Sequence, residues 1–109
     1  MKHTQLGEFE ELVLLIVGSL DQNAYSISIK NELKEKTKRN PSIGALHSAL
    51  NRLEKKGFIS SHEGGATTER GGRRKRFYEI TPYGRKVLDQ SFELRSSLYH
   101  TLPKTSYAG

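Results

Sequence analysis

The sequence predicts a mainly α fold with one small β-hairpin, and three observations carry that prediction. Apolar residues recur at helical spacing in four stretches, residues 8–20, 26–37, 43–56 and 82–99. Two short β-compatible runs, 58–63 and 74–80, stand between the third and fourth stretches, separated by a segment too rich in glycine for a helix. A chain of 109 residues, 34% of them hydrophobic, has room for one domain with a lean core, and the absence of cysteine leaves that core without disulfide or thiolate–metal support.

Glu8, Glu10 and Glu11 open the first stretch and suit the positive end of a helix dipole. Phe9, Leu12, Val13, Ile16 and Leu20 follow at helical spacing, while Leu14, Leu15 and Val17 make the remaining sides apolar as well. A helix this apolar around its circumference needs cover on more than one face, which a core plus a second subunit would supply. After the polar break Asp21-Gln22-Asn23, a second helix carries Tyr25, Ile27, Ile29 and Leu33, with Ser26 expected as its N-cap. Lys38-Arg39-Asn40-Pro41 stops it, and Ser42 is placed to cap the third helix. There Leu46, Leu50 and Leu53 form the buried stripe, with Ile43 and Ala49 at its edges, before Gly57 provides a left-handed stop.

The two strands flank residues 64–72, a long and glycine-rich loop, and Tyr78 and Ile80 on the second strand are expected to pack on the core. Thr81-Pro82 caps and starts the last helix. Its Val87, Leu88, Phe92, Leu94, Leu98, Tyr99 and Leu102 form more apolar surface than one flank of a small domain needs, so one stripe is expected to face another chain. Phe9 and Leu12 of the first helix, with Leu88, Phe92, Leu98 and Tyr99 of the last, are the residues expected at that homodimer contact.

Three helices, a hairpin and a closing helix make the layout of a winged helix-turn-helix, in which the third helix can enter a major groove and the hairpin can reach alongside. Residues 1–109 then form a single domain, with about 7–81 as the winged helix-turn-helix and about 82–102 as a C-terminal dimerisation helix. Opposite the leucine stripe, the third helix carries Gly44, Ser48, Asn51 and Lys55, flanked by His47 and Arg52: a small, polar and basic face able to read base edges. Ser42 stands at its leading end. In the loop, Arg70-Gly71-Gly72-Arg73-Arg74-Lys75-Arg76 places five positive charges in seven residues, and a phosphate backbone is the natural counter-charge. The whole chain agrees in sign, since eighteen Lys and Arg against twelve Asp and Glu leave a net charge of +6.

Enzymatic chemistry finds no footing. His3, His47, His62 and His100 lie in different elements or tails, without an i, i+4 partner to hold a metal, and no nucleophile elbow, phosphate loop or dinucleotide fingerprint is present. No cofactor is implied. Residues 1–6 lack an export signal, and the longest dense apolar run, 12–17, is far short of the ~20 residues that span a bilayer, so the expected location is cytoplasmic and away from membranes.

Four segments together carry a family resemblance: Leu6-Gly7-Glu8-Phe9-Glu10; Ala24-Tyr25-Ser26-Ile27; Leu50-Asn51-Arg52-Leu53-Glu54-Lys55-Lys56-Gly57-Phe58-Ile59; and the run from Glu69 through the arginine-rich loop to Phe77-Tyr78-Glu79-Ile80-Thr81-Pro82-Tyr83-Gly84. In these the chain resembles the PadR family of bacterial transcriptional regulators, from about Leu6 to Leu98. The specific part is the glycine-arginine wing followed at once by the Thr-Pro-x-Gly helix start. The resemblance implies a homodimeric repressor of the short C-terminal branch, binding double-stranded operator DNA with the third helix and wing. It also implies a response to a small aromatic or lipophilic effector. Where the family usually has a tyrosine in the middle of the third helix this chain has His47, and it has no Trp with which to stack an aromatic ligand. Beside this stands a second reading, a protein-interaction winged helix whose basic wing binds an acidic partner.

Overall fold

A computed structural model describes residues 6–64 and 75–104. In chain order these form α1 (Glu8–Leu20), a 3-10 turn (Asp21–Asn23), α2 (Ser26–Thr37), α3 (Ile43–Lys55), β1 (Ile59–Glu63), β2 (Arg76–Ile80) and α4 (Pro82–Tyr99). The mainly α architecture with a two-stranded antiparallel hairpin is the one the apolar periodicity predicts.

Capping explains most of the boundaries. The Ser42 hydroxyl accepts the Ala45 N–H at 3.0 Å to start α3, and the Thr81 hydroxyl accepts the Gly84 N–H at 3.0 Å to start α4, with Pro82 as first helical residue. The second helix departs from expectation. Ser26 is its first helical residue and not its cap; Tyr25 occupies the cap in extended backbone, and its N–H donates to the Ser28 hydroxyl at 2.9 Å. Ser26 is thereby free to turn its own hydroxyl toward α3. The third helix ends at Lys55, one residue early, and Gly57 makes the predicted left-handed turn at φ 84°.

Val13, Leu14, Val17, Ile29, Leu33, Leu46, Leu50, Leu53 and Phe58 are fully or almost fully buried and pack α1, α2 and α3 around one core. In the hairpin Ile59 pairs with Ile80 and Ser61 with Tyr78. Tyr78 is buried and Ile80 half-buried against the core, as their alternation requires, and the Tyr78 N–H donates to the Ala24 carbonyl at 2.8 Å, tying β2 to the entrance of α2. The foot of the hairpin is held to both neighbouring helices: the Thr81 hydroxyl donates to the Gly57 carbonyl at 2.7 Å and the Thr81 N–H to the Phe58 carbonyl at 3.0 Å.

Helix α4 divides in two. Gly84, Val87 and Leu88 are buried against the body of the domain. Leu88, expected at the contact between copies, is buried here in the core of its own chain. Beyond it Phe92, Leu98 and Tyr99 are 70%, 58% and 68% exposed, and α4 projects. The radius of gyration, 16.6 Å, exceeds the ~13 Å of a compact domain of this length for that reason. No helix among the described residues is long and apolar enough to cross a membrane.

Candidate nucleic-acid interface

On α3 the buried residues are Leu46, Ala49, Leu50 and Leu53, so the same periodicity forces Gly44, His47, Ser48, Asn51 and Lys55 onto the opposite, solvent-facing side. All five are exposed, and Ser42 is exposed at the head of the helix. The neighbouring helix frames this face. The Ser26 hydroxyl lies 3.4 Å from His47 Nε2, and Lys30 Nζ donates to the Asn40 side chain at 2.8 Å, binding α2 to the turn that precedes α3.

Arg52 stands apart from these. Its Nε donates to Glu10 Oε2 at 2.5 Å, and Lys56 Nζ donates to Glu10 Oε1 at 2.8 Å. Glu10 is only 6% exposed and also accepts the Gly7 N–H at 3.4 Å. Its neighbours act likewise: Glu8 pairs with Arg39 at 2.6 Å, and Glu11 with Arg95 at 3.1 Å and with the Ser91 hydroxyl at 3.0 Å. Three acids that suit a helix dipole thus also tie α1 to the α2–α3 turn, to α3 and to α4. Arg52, expected among the base-reading residues, thus has its guanidinium drawn back onto α1 by a buried carboxylate.

Burial acts to raise the Glu10 pKa, but hydrogen bonds from Lys56, Arg52 and the Gly7 N–H outweigh it and hold the carboxyl below its ordinary value. A folded-state pKa below the unfolded one means that the stabilisation is complete above the unfolded value and is lost as pH falls through the folded value. Urea unfolding is therefore expected to show a loss of stability below about pH 5 that a Glu10→Gln chain shows less steeply; superimposable acid limbs would show that the triad carries no net stabilisation.

Of the basic loop, Arg70, Gly71, Gly72, Arg73 and Arg74 lie outside the described residues. Lys75 and Arg76, at the root of the wing, are described and exposed. Lys75 Nζ sits 4.2 Å above the Tyr25 ring, a cation–π contact, and Tyr25 packs edge-on against Phe77 at 5.6 Å. His62 stacks on Phe77 as well, at 6.0 Å. Arg76 donates to the Ser61 hydroxyl at 2.9 Å, and Ser61 in turn donates to Glu54 of α3 at 2.8 Å. The wing root is thus joined to the start of α2 and to α3, with Lys75 on Tyr25, the residue before Ser26, whose hydroxyl faces His47. Tyr25, Ser26 and Glu10 have only local helix roles in the sequence, and the structure adds their contacts across the chain. Their partners lie far off in the chain, and no local spacing marks them.

Among the described residues, no three His, Cys, Asp or Glu side chains converge on a metal-binding point. Of the expected contact residues between copies, Phe92, Leu98 and Tyr99 are exposed on α4, whereas Phe9 and Leu12 are half-buried against the core.

Residues 13–90 match the family model described as the transcriptional regulator PadR-like family. No curated protein matches the sequence. Among solved structures, a PadR family transcription regulator from hypervirulent Clostridium difficile R20291 is similar at a TM-score of 0.72 and 22% identity, over 87% of this chain and 94% of that one. A transcriptional regulator from Clostridium thermocellum is similar at 0.64 and 27%, over 87% and 92%. A PadR-like transcriptional regulator from Bacillus cereus strain ATCC 14579 is similar at 0.66 and 22%, over 90% and 93%.

Proposed function

The chain belongs to the PadR-like family of transcriptional regulators, and on that premise we propose that it is a homodimeric repressor that occludes a promoter until a signal lowers its affinity. It is a DNA-binding transcription regulator and not an enzyme. The observation that carries the finer reading is the outward face of α3, where Gly44, His47, Ser48, Asn51 and Lys55 stand exposed. Asn51 and Ser48 supply base discrimination, since an amide can make a bidentate pair with an adenine edge. Lys55, Lys75, Arg76 and the loop residues Arg70, Arg73 and Arg74 supply phosphate attraction, with Gly71 and Gly72 allowing backbone amides to approach, and Ser42, Gly44 and His47 fit the helix to the groove. Residues 7–81 form the DNA-binding part and 82–102 the dimerisation helix of a single domain, the helix corresponding to the short C-terminal branch. The signal is a small aromatic or lipophilic molecule, and the site of action is the cytoplasm, where the operator is.

Equilibrium binding to a labelled duplex from upstream of the protein's own gene, beside a scrambled duplex and across a salt series, tests the reading. Selective binding that saturates at two chains per site and weakens steeply with salt supports it. No binding even at low salt would move the interface to an acidic protein partner. Within that assay Asn51→Ala is expected to cost about 1–3 kcal/mol of discrimination while leaving scrambled-duplex binding in place. Arg74→Ala is expected to weaken both duplexes alike and reduce the salt slope by about 0.9 per protomer. The reverse pattern would overturn this division of labour.

A further inference from the structure

We propose that Glu10 is a specificity-determining residue: by holding the Arg52 guanidinium against α1, it keeps a mobile cation off the reading face of α3 and so limits sequence-independent attraction to phosphate. The inference rests on the reading that this face meets DNA.

Arg52 follows Ser48 by one helical turn and adjoins Asn51, so a released guanidinium on its long stem reaches across the face on which those two side chains stand. Its side chain is 51% exposed although its Nε is engaged, so half of it is open to solvent and the Glu10 carboxylate is the charged partner that the described residues give it. Glu10 is suited to that task. Its side chain is 8% exposed, so the α1 backbone and the core fix where the carboxylate stands, and both oxygens accept hydrogen bonds. A guanidinium is the side chain with most to gain from phosphate, to which it can donate in parallel pairs, and it does so on any sequence. Holding it back lowers affinity for every duplex and leaves discrimination to the short polar groups of α3. Glu8 and Glu11 also pair with Arg39 and Arg95, Glu8 from an exposed side chain and Glu11 from a largely buried one, so the first turn of α1 draws in cations that lie off the wing.

The test uses the full chain, a duplex selected by the wild-type protein from a randomised pool, and a scrambled duplex of equal length. Glu10→Gln keeps the shape of the side chain while removing its charge and leaving one acceptor oxygen in place of two. It is expected to raise affinity for the scrambled duplex about fivefold at 0.1 M salt, to steepen the salt slope by about 0.9 per protomer, and to lower the ratio of selected to scrambled binding. The double variant Glu10→Gln/Arg52→Gln is expected to restore the scrambled-duplex affinity and slope, whereas Glu10→Gln/Arg95→Gln, which restores the same net charge at a cation paired with Glu11, is expected not to. Should Glu10→Gln not fold, Glu10→Asp, which keeps the charge but draws it back by one methylene, is expected to release Arg52 in the same direction. Scrambled-duplex binding that is unchanged or weaker in the folded single variants, or that the Arg52 double variant fails to bring back, or that the Arg95 double variant brings back equally, overturns the proposal. Failure of the underlying reading is told apart by Asn51→Ala measured alongside: selectivity that survives it means α3 is not the reading helix, whereas selectivity lost in Asn51→Ala but unaltered in Glu10→Gln condemns the Glu10 proposal alone.

Discussion

A Gly84→Ala chain is expected to lose roughly 3 kcal/mol or more of folding stability, read as a fall in the urea midpoint. In an ordinary helical position alanine is the better residue by up to about 1 kcal/mol, so the sign here comes from packing. A Cβ on Gly84 would stand 2.1 Å from the Phe58 carbonyl oxygen and 2.9 Å from its carbonyl carbon, with Ile80 Cγ1 at 3.1 Å. Those backbone atoms cannot step aside. The Phe58 N–H donates to the Leu53 carbonyl, its carbonyl accepts the Thr81 N–H, and its ring is fully buried against the edge of Tyr83. Relief requires α4 to lift off the foot of the hairpin, which gives up the packing of Val87 and Leu88 as well. Gly44→Ala is the control. Its Cβ would meet nothing nearer than the Ser42 hydroxyl at 4.0 Å, and a gain of about 0.5–1 kcal/mol is expected. A Gly84→Ala midpoint at or above that of the unaltered chain would show that the start of α4 is free to slide and does not set the angle between α4 and α3.

The contrast between those two glycines also marks where sequence reading stops. The four helices and the hairpin were legible because each depends on near neighbours: a leucine every turn on α3, Ser42 and Thr81 ahead of their helices, Gly57 at a left-handed turn. The outward face of α3 followed from the same periodicity. What was not legible are relations across the chain. Glu10 meets Arg52 and Lys56 at separations of 42 and 46 residues, and Arg95 meets Glu11 at 84, distances over which one sequence records no spacing rule. Read locally, the three acids of α1 were dipole partners and nothing more. Ser26 was misplaced as a cap because Tyr25 takes that position in extended backbone, its own N–H held by the Ser28 hydroxyl three residues on, and apolar surplus along α4 gives no sign of where the helix leaves the body. The clasp of Lys75 on Tyr25 needed the hairpin to close before it existed.

Charging the projecting half of α4 is expected to produce the largest functional loss, because Phe92→Glu with Leu98→Glu should turn a dimer into a 12.3 kDa monomer and lower affinity for the selected duplex by at least about a hundredfold. Burying a Phe or Leu side chain contributes about 1.5–3 kcal/mol, and in the proposed twofold pair each position would count twice, so these two positions would carry roughly 6–12 kcal/mol of gross association energy. A micromolar dimer needs about 8 kcal/mol net of its ordering costs. Replacing four apolar side chains with four carboxylates removes that term and adds like charges that must be desolvated, which leaves Leu94, Tyr99 and Leu102 too little to hold two chains together. The fold should survive, because the part of α4 that packs on its own core is Gly84, Val87 and Leu88, and both altered residues lie beyond it. DNA binding falls because a monomer engages one half-site, losing the second set of phosphate contacts and the high local concentration that two linked domains give each other. Sedimentation at micromolar concentration reads the first effect and duplex binding the second. A double variant that still sediments as a dimer would move the interface to the half-exposed side of α1 around Leu15, and an unaltered chain that sediments at 12.3 kDa would leave each domain to find its site alone.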